Sequence, residues 1–354
     1  MVTTRSGAQP ASQSLIIAPQ WIGDAVMTQP LMARLHARGE QITVGALPWV
    51  APVYRCMPQV ARVIEFPFAH GGLQLKTRRS IAQQIEGQFD TAYVLPNSLK
   101  SALLPLLAGI PKRVGYLGEA RVGLLTHRIK NPPKSKRPPM VAFYSALSGD
   151  TDTSADRPQL QVDETAVAHT LASLQLAHGA YAIFVPGAEY GSAKRWPAAH
   201  FAQLALQMDV PVLLFGSAKD AALCDEIVAL APAQCRNLAG KTSLIEAVHA
   251  IAACKTLVTN DSGLMHVAAA LDVTQVALFG SSSPLHTPPL SFAAQVIWLK
   301  DDPQYQPALD CAPCFERECP LGHTRCLNDI APAQVLARIR SAGLLATHRT
   351  VSAE

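Results

Sequence analysis

The chain has 354 residues, enough at roughly 150 residues per domain for about two domains with a core each, which excludes a small disulfide-stapled module. With 49% hydrophobic, 16% charged and 6% aromatic residues, and with 27 prolines and 21 glycines spread along the chain, the composition is globular rather than disordered. The net charge of +4 is too small for a general nucleic-acid binder.

The first 14 residues are small and polar with no apolar core, so they read as a tail rather than a secretory signal. From Leu15 onward short apolar runs alternate with amphipathic stretches, the pattern of an α/β fold with parallel sheets. Strands are expected over Leu15 to Ala18, Ile42 to Leu47, Arg62 to Phe66 and Thr91 to Leu95. Helices are expected over Asp24 to Ala37 and over Ser98 to Leu107, the latter closed by Gly109 and Pro111. The charge-free apolar run between Lys100 and Lys112 has 11 residues and contains Pro105. That is short of the ~18 residues a bilayer demands, so no transmembrane segment is expected and the protein is placed in the cytoplasm.

Residues 148–161, SGDTDTSADRPQLQ, are polar and charged and form the best linker, which sets a domain boundary near residue 160. A second alternating unit follows it. Strands are expected over Tyr181 to Val185, Pro211 to Phe215, Thr256 to Thr259 and Gln275 to Phe279. Helices are expected over Pro197 to Gln207, Ala218 to Leu230, Ser243 to Ala253 and Gly263 to Leu271, with a last one over Pro332 to Ala346 before the C-terminal tail.

Charge and cysteine are unevenly distributed. Between Lys112 and Arg137 eight cations face one acid, Glu119, so this stretch should attract anions, as a membrane face or a phosphorylated acceptor would, or else form a solvated basic loop. Cys56, Cys224, Cys235 and Cys254 are scattered and read as small core or boundary residues. Cys311, Cys314, Cys319 and Cys326, with His323 among them, form a C-x2-C-x4-C-x6-C cluster. Thiolates so spaced can converge on zinc, but the second half lacks the tight knuckle of a zinc ribbon, which favours a metal-free loop.

Three junctions carry candidate chemistry. Asp24 stands where the first strand gives way to a helix, the edge at which ligands sit in open α/β sheets; it reads either as a helix cap or as a carboxylate that takes a proton from a substrate hydroxyl. Residues 185–197, VPGAEYGSAKRWP, leave a strand and enter a helix, and Lys194 with Arg195 can balance a pyrophosphate or serve as surface cations. In residues 258–266, VTNDSGLMH, a polar turn opens a helix whose free N–H groups favour phosphate, with Ser262 and Gly263 allowing close approach. Taken singly, Asp261 would be a cap and His266 a buried imidazole. A second Gly/Ser turn begins at Gly280. No G-x-G-x-x-G or G-x-x-x-x-G-K-[ST] follows a strand, and Ser262 lies outside any G-x-S-x-G, so dinucleotide oxidoreductases, P-loop NTPases and nucleophile-elbow hydrolases are disfavoured.

The segments APQWIGDAVMTQPL, AYVLPNSLKSALLPLLAGIPKRVGY, PGAEYGSAKRWP, LLFGSAKD, RNLAGKTSL, IAACKTLVTNDSGLMHVAAALD and LFGSSSPLHTPPL resemble, in order, those of the ADP-heptose:lipopolysaccharide heptosyltransferases of glycosyltransferase family 9. The likeness runs from about Leu15 to Leu290. It implies a GT-B architecture, two Rossmann-like domains facing a cleft, the first binding a heptosyl-Kdo2-lipid A acceptor at the inner face of the inner membrane and the second an ADP-heptose donor. It implies an inverting transferase that needs no metal or other cofactor. Asp24 matches the family's proposed general base and Lys194 its donor-phosphate lysine. Asp261, Ser262, Gly263 and His266 match its donor turn, with Ser192 and Gly280 in the flanking donor loops. Lys100, Arg113 and Arg121 are expected to meet acceptor phosphates or Kdo carboxylates, from charge and position. A GT-B enzyme with another donor or acceptor, or a nucleotide-sugar binder without catalysis, are the alternatives.

Overall fold

The computed structural model describes residues 11–68, 72–133, 136–153 and 156–350, with backbone alone for 342–350; residues 1–10 of the expected N-terminal tail and 351–354 of the C-terminal one lie outside the described residues. Contacts divide the chain into two units.

The first unit holds residues up to Gln20, Thr28–Pro138 and Ala142–Asp156. Its elements begin with β1 (Gln13–Ile17), and beyond the short helix α1 (Ile22–Met27) continue with α2 (Gln29–Ala37), β2 (Gln41–Ala46), α3 (Ala51–Arg55), β3 (Val60–Glu65) and α4 (Leu75–Ile85). Then come β4 (Thr91–Val94), α5 (Leu99–Leu107), β5 (Lys112–Tyr116) and β6 (His127–Ile129), with α6 (Met140–Ser145) closing the half. All six strands pair in parallel in the order β3-β2-β1-β4-β5-β6, the doubly wound arrangement in which the chain reverses direction between β1 and β4. Leu15 and Ile17 of β1 and Ala92 and Val94 of β4 pack on Ile81, Ile85, Ala102 and Leu104 of the covering helices.

Two expectations are corrected here. The helix predicted over Asp24 to Ala37 is two helices, because Pro30 in the first turn of α2 supplies no N–H and would crowd the carbonyl four residues back. The basic stretch from Lys112 is not a loop throughout: it contains β5 and β6, in which Val114 and Tyr116 are buried while Lys112 and Arg128 face outward; Lys134 lies outside the described residues.

The predicted linker is anchored at both ends. Arg34 on α2 grips Asp156 through Nε (2.9 Å) and Nη2 (2.7 Å) and Asp150 through Nη1 (3.0 Å), and the division between units falls directly after Asp156.

The second unit holds Trp21–Met27, Pro139–Val141 and Arg157–Glu354. It contains α7 (Glu164–Leu174), β7 (Ala182–Val185), α8 (Ala198–Ala205), β8 (Val212–Leu214), α9 (Ala221–Leu230), β9 (Cys235–Asn237), α10 (Leu244–Ala252), β10 (Thr256–Asn260), α11 (Gly263–Ala270), β11 (Gln275–Phe279), β12 (Ala294–Trp298), α12 (Arg325–Asn328) and α13 (Pro332–Thr350). The sheet, again wholly parallel, runs β12-β11-β10-β7-β8-β9. Counted along the unit, this repeats the order of the first, with the reversal between β7 and β10. Helix starts are set by local chemistry: Asp163 caps α7 by accepting from the Ala166 N–H at 2.8 Å, and Ser243 with Glu246 forms a capping box on α10. Trp196, wholly buried, packs edge-on against Phe201 and donates its indole N–H to the Ile330 carbonyl at 2.9 Å, tying the segment before α13 to the sheet.

Candidate active site

In doubly wound sheets ligands bind where neighbouring strands send their connections to opposite faces. In the second unit that point lies between β7 and β10, and the two connections meet there. After β7 the chain makes one 3-10 turn, Ser192–Lys194. The Lys194 ammonium then lies 2.5 Å from the Asp261 carboxylate just beyond β10, with the two side chains only 18% and 10% exposed. Removing one partner of a largely desolvated pair of this kind strands the other charge, so it costs more than breaking a surface pair.

Asn260, the last residue of β10, fastens the two connections together. It is fully buried; its Oδ1 accepts the Trp196 N–H at 3.1 Å, and its Nδ2 donates to the Pro186 carbonyl at 2.7 Å. Both ends of the β7 connection are therefore pinned by one amide. Sequence reading passed over Asn260; the available signal was an amide ending an otherwise apolar strand.

The start of α11 differs in detail from its expected role. Ser262 caps the helix, accepting from the Met265 N–H at 3.4 Å, and its hydroxyl lies 2.9 Å from that of Thr259. A side chain at Gly263 would come within 2.9 Å of Ile22 Cβ and 3.2 Å of the Gly23 nitrogen. Gly263 thus admits the backbone of α1, a packing reason the sequence did not reveal. Reciprocally, a Cβ at Gly23 would meet His266 Cδ2 at 2.8 Å. This glycine-to-glycine docking of α1 on α11 is why Trp21–Met27 belongs with the second unit.

Asp24 is therefore carried on a turn that rests on the α11 start. Helix α1 begins at Ile22, so Asp24 lies inside its first turn, which corrects the alternative that Asp24 is the cap. His266 is only 4% exposed. Burial pushes its imidazole down to about 4, with Lys194 adding to the effect and Asp261 opposing it; the ring is neutral at physiological pH.

The remaining expected residues fall into three groups. Ser192 is exposed at the start of the Lys194 turn, and Lys100 is half-buried in the first turn of α5. Gly280 is buried, and a side chain there would meet Leu327 Cγ at 2.6 Å and Cys326 Sγ at 3.2 Å, so it serves packing of the cysteine segment. Arg121 is a correction: it is 0% exposed and donates to the Pro96 carbonyl, Asn97 Oδ1 and the Tyr116 carbonyl, a role inside the fold that removes it from any acceptor. Arg113 commits Nε and Nη1 to the carbonyls of Leu124 and Ile110. Among the described residues no group of three or more His, Cys, Asp or Glu side chains has an arrangement able to hold a metal ion, the four clustered thiols included.

Two units of Rossmann strand order in one chain, with a cation–carboxylate pair beside a helix start, have the strand arrangement of GT-B proteins. The model of glycosyltransferase family 9 (heptosyltransferase) matches residues 78–325. The chain is 45% identical to lipopolysaccharide heptosyltransferase 2 of Escherichia coli, covering 92% of this chain and 97% of that protein. It is 43% identical to lipooligosaccharide heptosyltransferase 2 of Haemophilus influenzae, covering 80% and 88%. The solved structure of the ADP-heptose lipopolysaccharide heptosyltransferase II of Escherichia coli superposes with a TM-score of 0.82 at 41% identity, over 95% of this chain and 99% of that one. The chain belongs to glycosyltransferase family 9, the heptosyltransferases.

Proposed function

We propose that the protein transfers heptose from ADP-L-glycero-D-manno-heptose to the heptosyl-Kdo2-lipid A inner core of lipopolysaccharide, with inversion at the anomeric carbon. The observation that carries this reading is the Lys194–Asp261 pair, desolvated at the β7/β10 reversal and tied by Asn260. The second unit takes the donor and the first the acceptor. Asp24 removes the proton from the acceptor hydroxyl, that oxygen attacks the anomeric carbon, and the bond to the diphosphate breaks with its electron pair leaving on ADP. Lys194 and the N–H groups opening α11 meet the charge that builds on the leaving diphosphate, so they act most strongly in the transition state. Ser192 and the turn at Gly280 flank the diphosphate, and Lys100 faces the anionic acceptor. The enzyme works on a membrane-borne acceptor from the cytoplasmic side, and among the described residues no helix is long and apolar enough to cross a membrane.

The test is ADP release with ADP-heptose and heptosyl-Kdo2-lipid A. Asp24→Ala is expected to abolish turnover, a loss of about a hundredfold or more for a missing general base, while ADP binding measured by calorimetry stays near wild type. Unchanged turnover would remove Asp24 from the base role.

A further inference from the structure

The cysteine segment crosses the loops that the donor reading depends on. The Arg317 carbonyl accepts the Ala193 N–H at 3.0 Å, inside the Ser192–Lys194 turn. Two residues earlier, the Phe315 N–H donates to the Ser281 carbonyl at 2.7 Å, in the turn after β11. Both anchor points are sterically tight. Gly191 sits at φ +143°, and any side chain there would run into the Arg317 carbonyl; a side chain at Gly280 would strike Leu327 and the Cys326 sulfur. The Arg317 guanidinium also lies over the Tyr190 ring, 5.0 Å from its centroid.

Between these anchors lies a cavity of about 20 Å³, lined by Ala193, Ser281, His323 and the four thiols of Cys311, Cys314, Cys319 and Cys326. The Ser281 hydroxyl, on a residue 2% exposed, is buried without a hydrogen-bond partner. The cavity is thus a small void in the packing between the two anchors, lined by thiol-bearing residues and bordered by a residue whose hydroxyl is unpaired.

We infer that the Cys311–Cys326 segment is a strap that sets the spacing of the Lys194 turn and the Ser281 turn, and that covalent modification of Cys319 acts through it on donor binding. The inference rests on the donor reading of Lys194. All four clustered thiols are half-buried, and the Cys319 sulfur accepts the Thr324 N–H at 3.4 Å, which marks it as the thiol suited to react. Partial burial pushes its thiol up, but the Thr324 N–H at 3.4 Å, the Leu321 and Gly322 N–H groups and the Thr324 hydroxyl outweigh that and hold it below the usual thiol range. Cys326, by contrast, is pushed up to about 11 by burial and by its three neighbouring sulfurs. A group attached at Cys319 overfills a cavity of this size, and the strap has to move. Because Arg317 is bonded to Ala193, the neighbour of Lys194, the movement reaches the diphosphate site.

Methyl methanethiosulfonate supplies the probe. The Cys319 thiolate attacks the thiolated sulfur, a mixed disulfide forms, and methanesulfinate leaves with the electron pair. Labelling located by peptide mass is expected to raise the KM for ADP-heptose and the Kd for ADP about tenfold, and dithiothreitol should restore both. Cys319→Ser should keep wild-type kinetics and lose this response. Complete labelling at Cys319 with unaltered ADP affinity overturns the strap, as does an equal response in Cys319→Ser. Lys194→Ala separates the two readings: if unlabelled protein binds ADP and Lys194→Ala does not weaken it, the donor assignment has failed, and the strap inference with it.

Discussion

At the scale of single residues the site depends on two glycines whose purpose is mutual access. Gly23 lies against the His266 ring and Gly263 against Ile22 and the Gly23 backbone, so the turn bearing Asp24 can seat on the α11 start only while both lack a side chain. Gly23→Ala places a methyl within 2.8 Å of a ring that is itself buried. Overpacking of this kind costs about 1–3 kcal/mol. The expected result is a melting temperature lowered by several degrees and a kcat reduced more than the donor KM is raised, because the displaced group is the proposed base and not the proposed phosphate-binding lysine. Thermal unfolding and steady-state kinetics on the same preparation check this; a variant with wild-type kcat would mean that the seating of α1 does not place Asp24.

At the scale of elements, the strands and helices of the second unit were largely legible because its apolar runs are short, bounded by polar turns and spaced for β/α alternation: β11 falls where expected, and β10 and α11 differ by a residue at one end. The helices α4 and α7 and the strand β12 were not anticipated, and neither were elements whose local signal is weak. β6 and β9 have three residues each, and β5 begins with Lys112 and Arg113, whose charges disguised an inner strand, one place from the edge of the sheet, as a basic loop. The meeting of Lys194 with Asp261 is 67 positions distant in sequence and follows only from the strand order, which no local pattern encodes. The same holds for Asn260, whose amide completes the joint. Asn260→Ala leaves the Trp196 N–H and the Pro186 carbonyl buried without partners, each costing about 1–3 kcal/mol. Denaturant unfolding is expected to show a loss of about 2–4 kcal/mol, with weaker ADP binding because the Lys194 turn is no longer pinned. A loss confined to stability, with ADP affinity intact, would detach the clamp from the donor site.

For the whole molecule the buried and half-buried imidazoles contribute to how stability depends on pH. His266 is pushed down to about 4, and burial also lowers His200 and His249, the latter hydrogen-bonded to the Thr170 hydroxyl at 2.8 Å. Free histidine titrates near 6.5, so between 6.5 and about 4 the unfolded chain binds protons that the folded chain excludes, and folding stability falls as pH drops through that window. His266 alone accounts for about 3 kcal/mol across it. Unfolding measured at pH 7.5 and pH 5 should show the protein markedly less stable at the lower value, with His266→Asn less sensitive; a flat profile would contradict a neutral, enclosed ring. The central claim concerns chemistry, and mass spectrometry of the lipid tests it most directly. Incubation with ADP-heptose and heptosyl-Kdo2-lipid A should yield an acceptor heavier by one heptose for each ADP released, with no comparable transfer from UDP- or GDP-sugars. ADP released without a heavier lipid, or a sugar transferred equally well from another nucleotide, would contradict it.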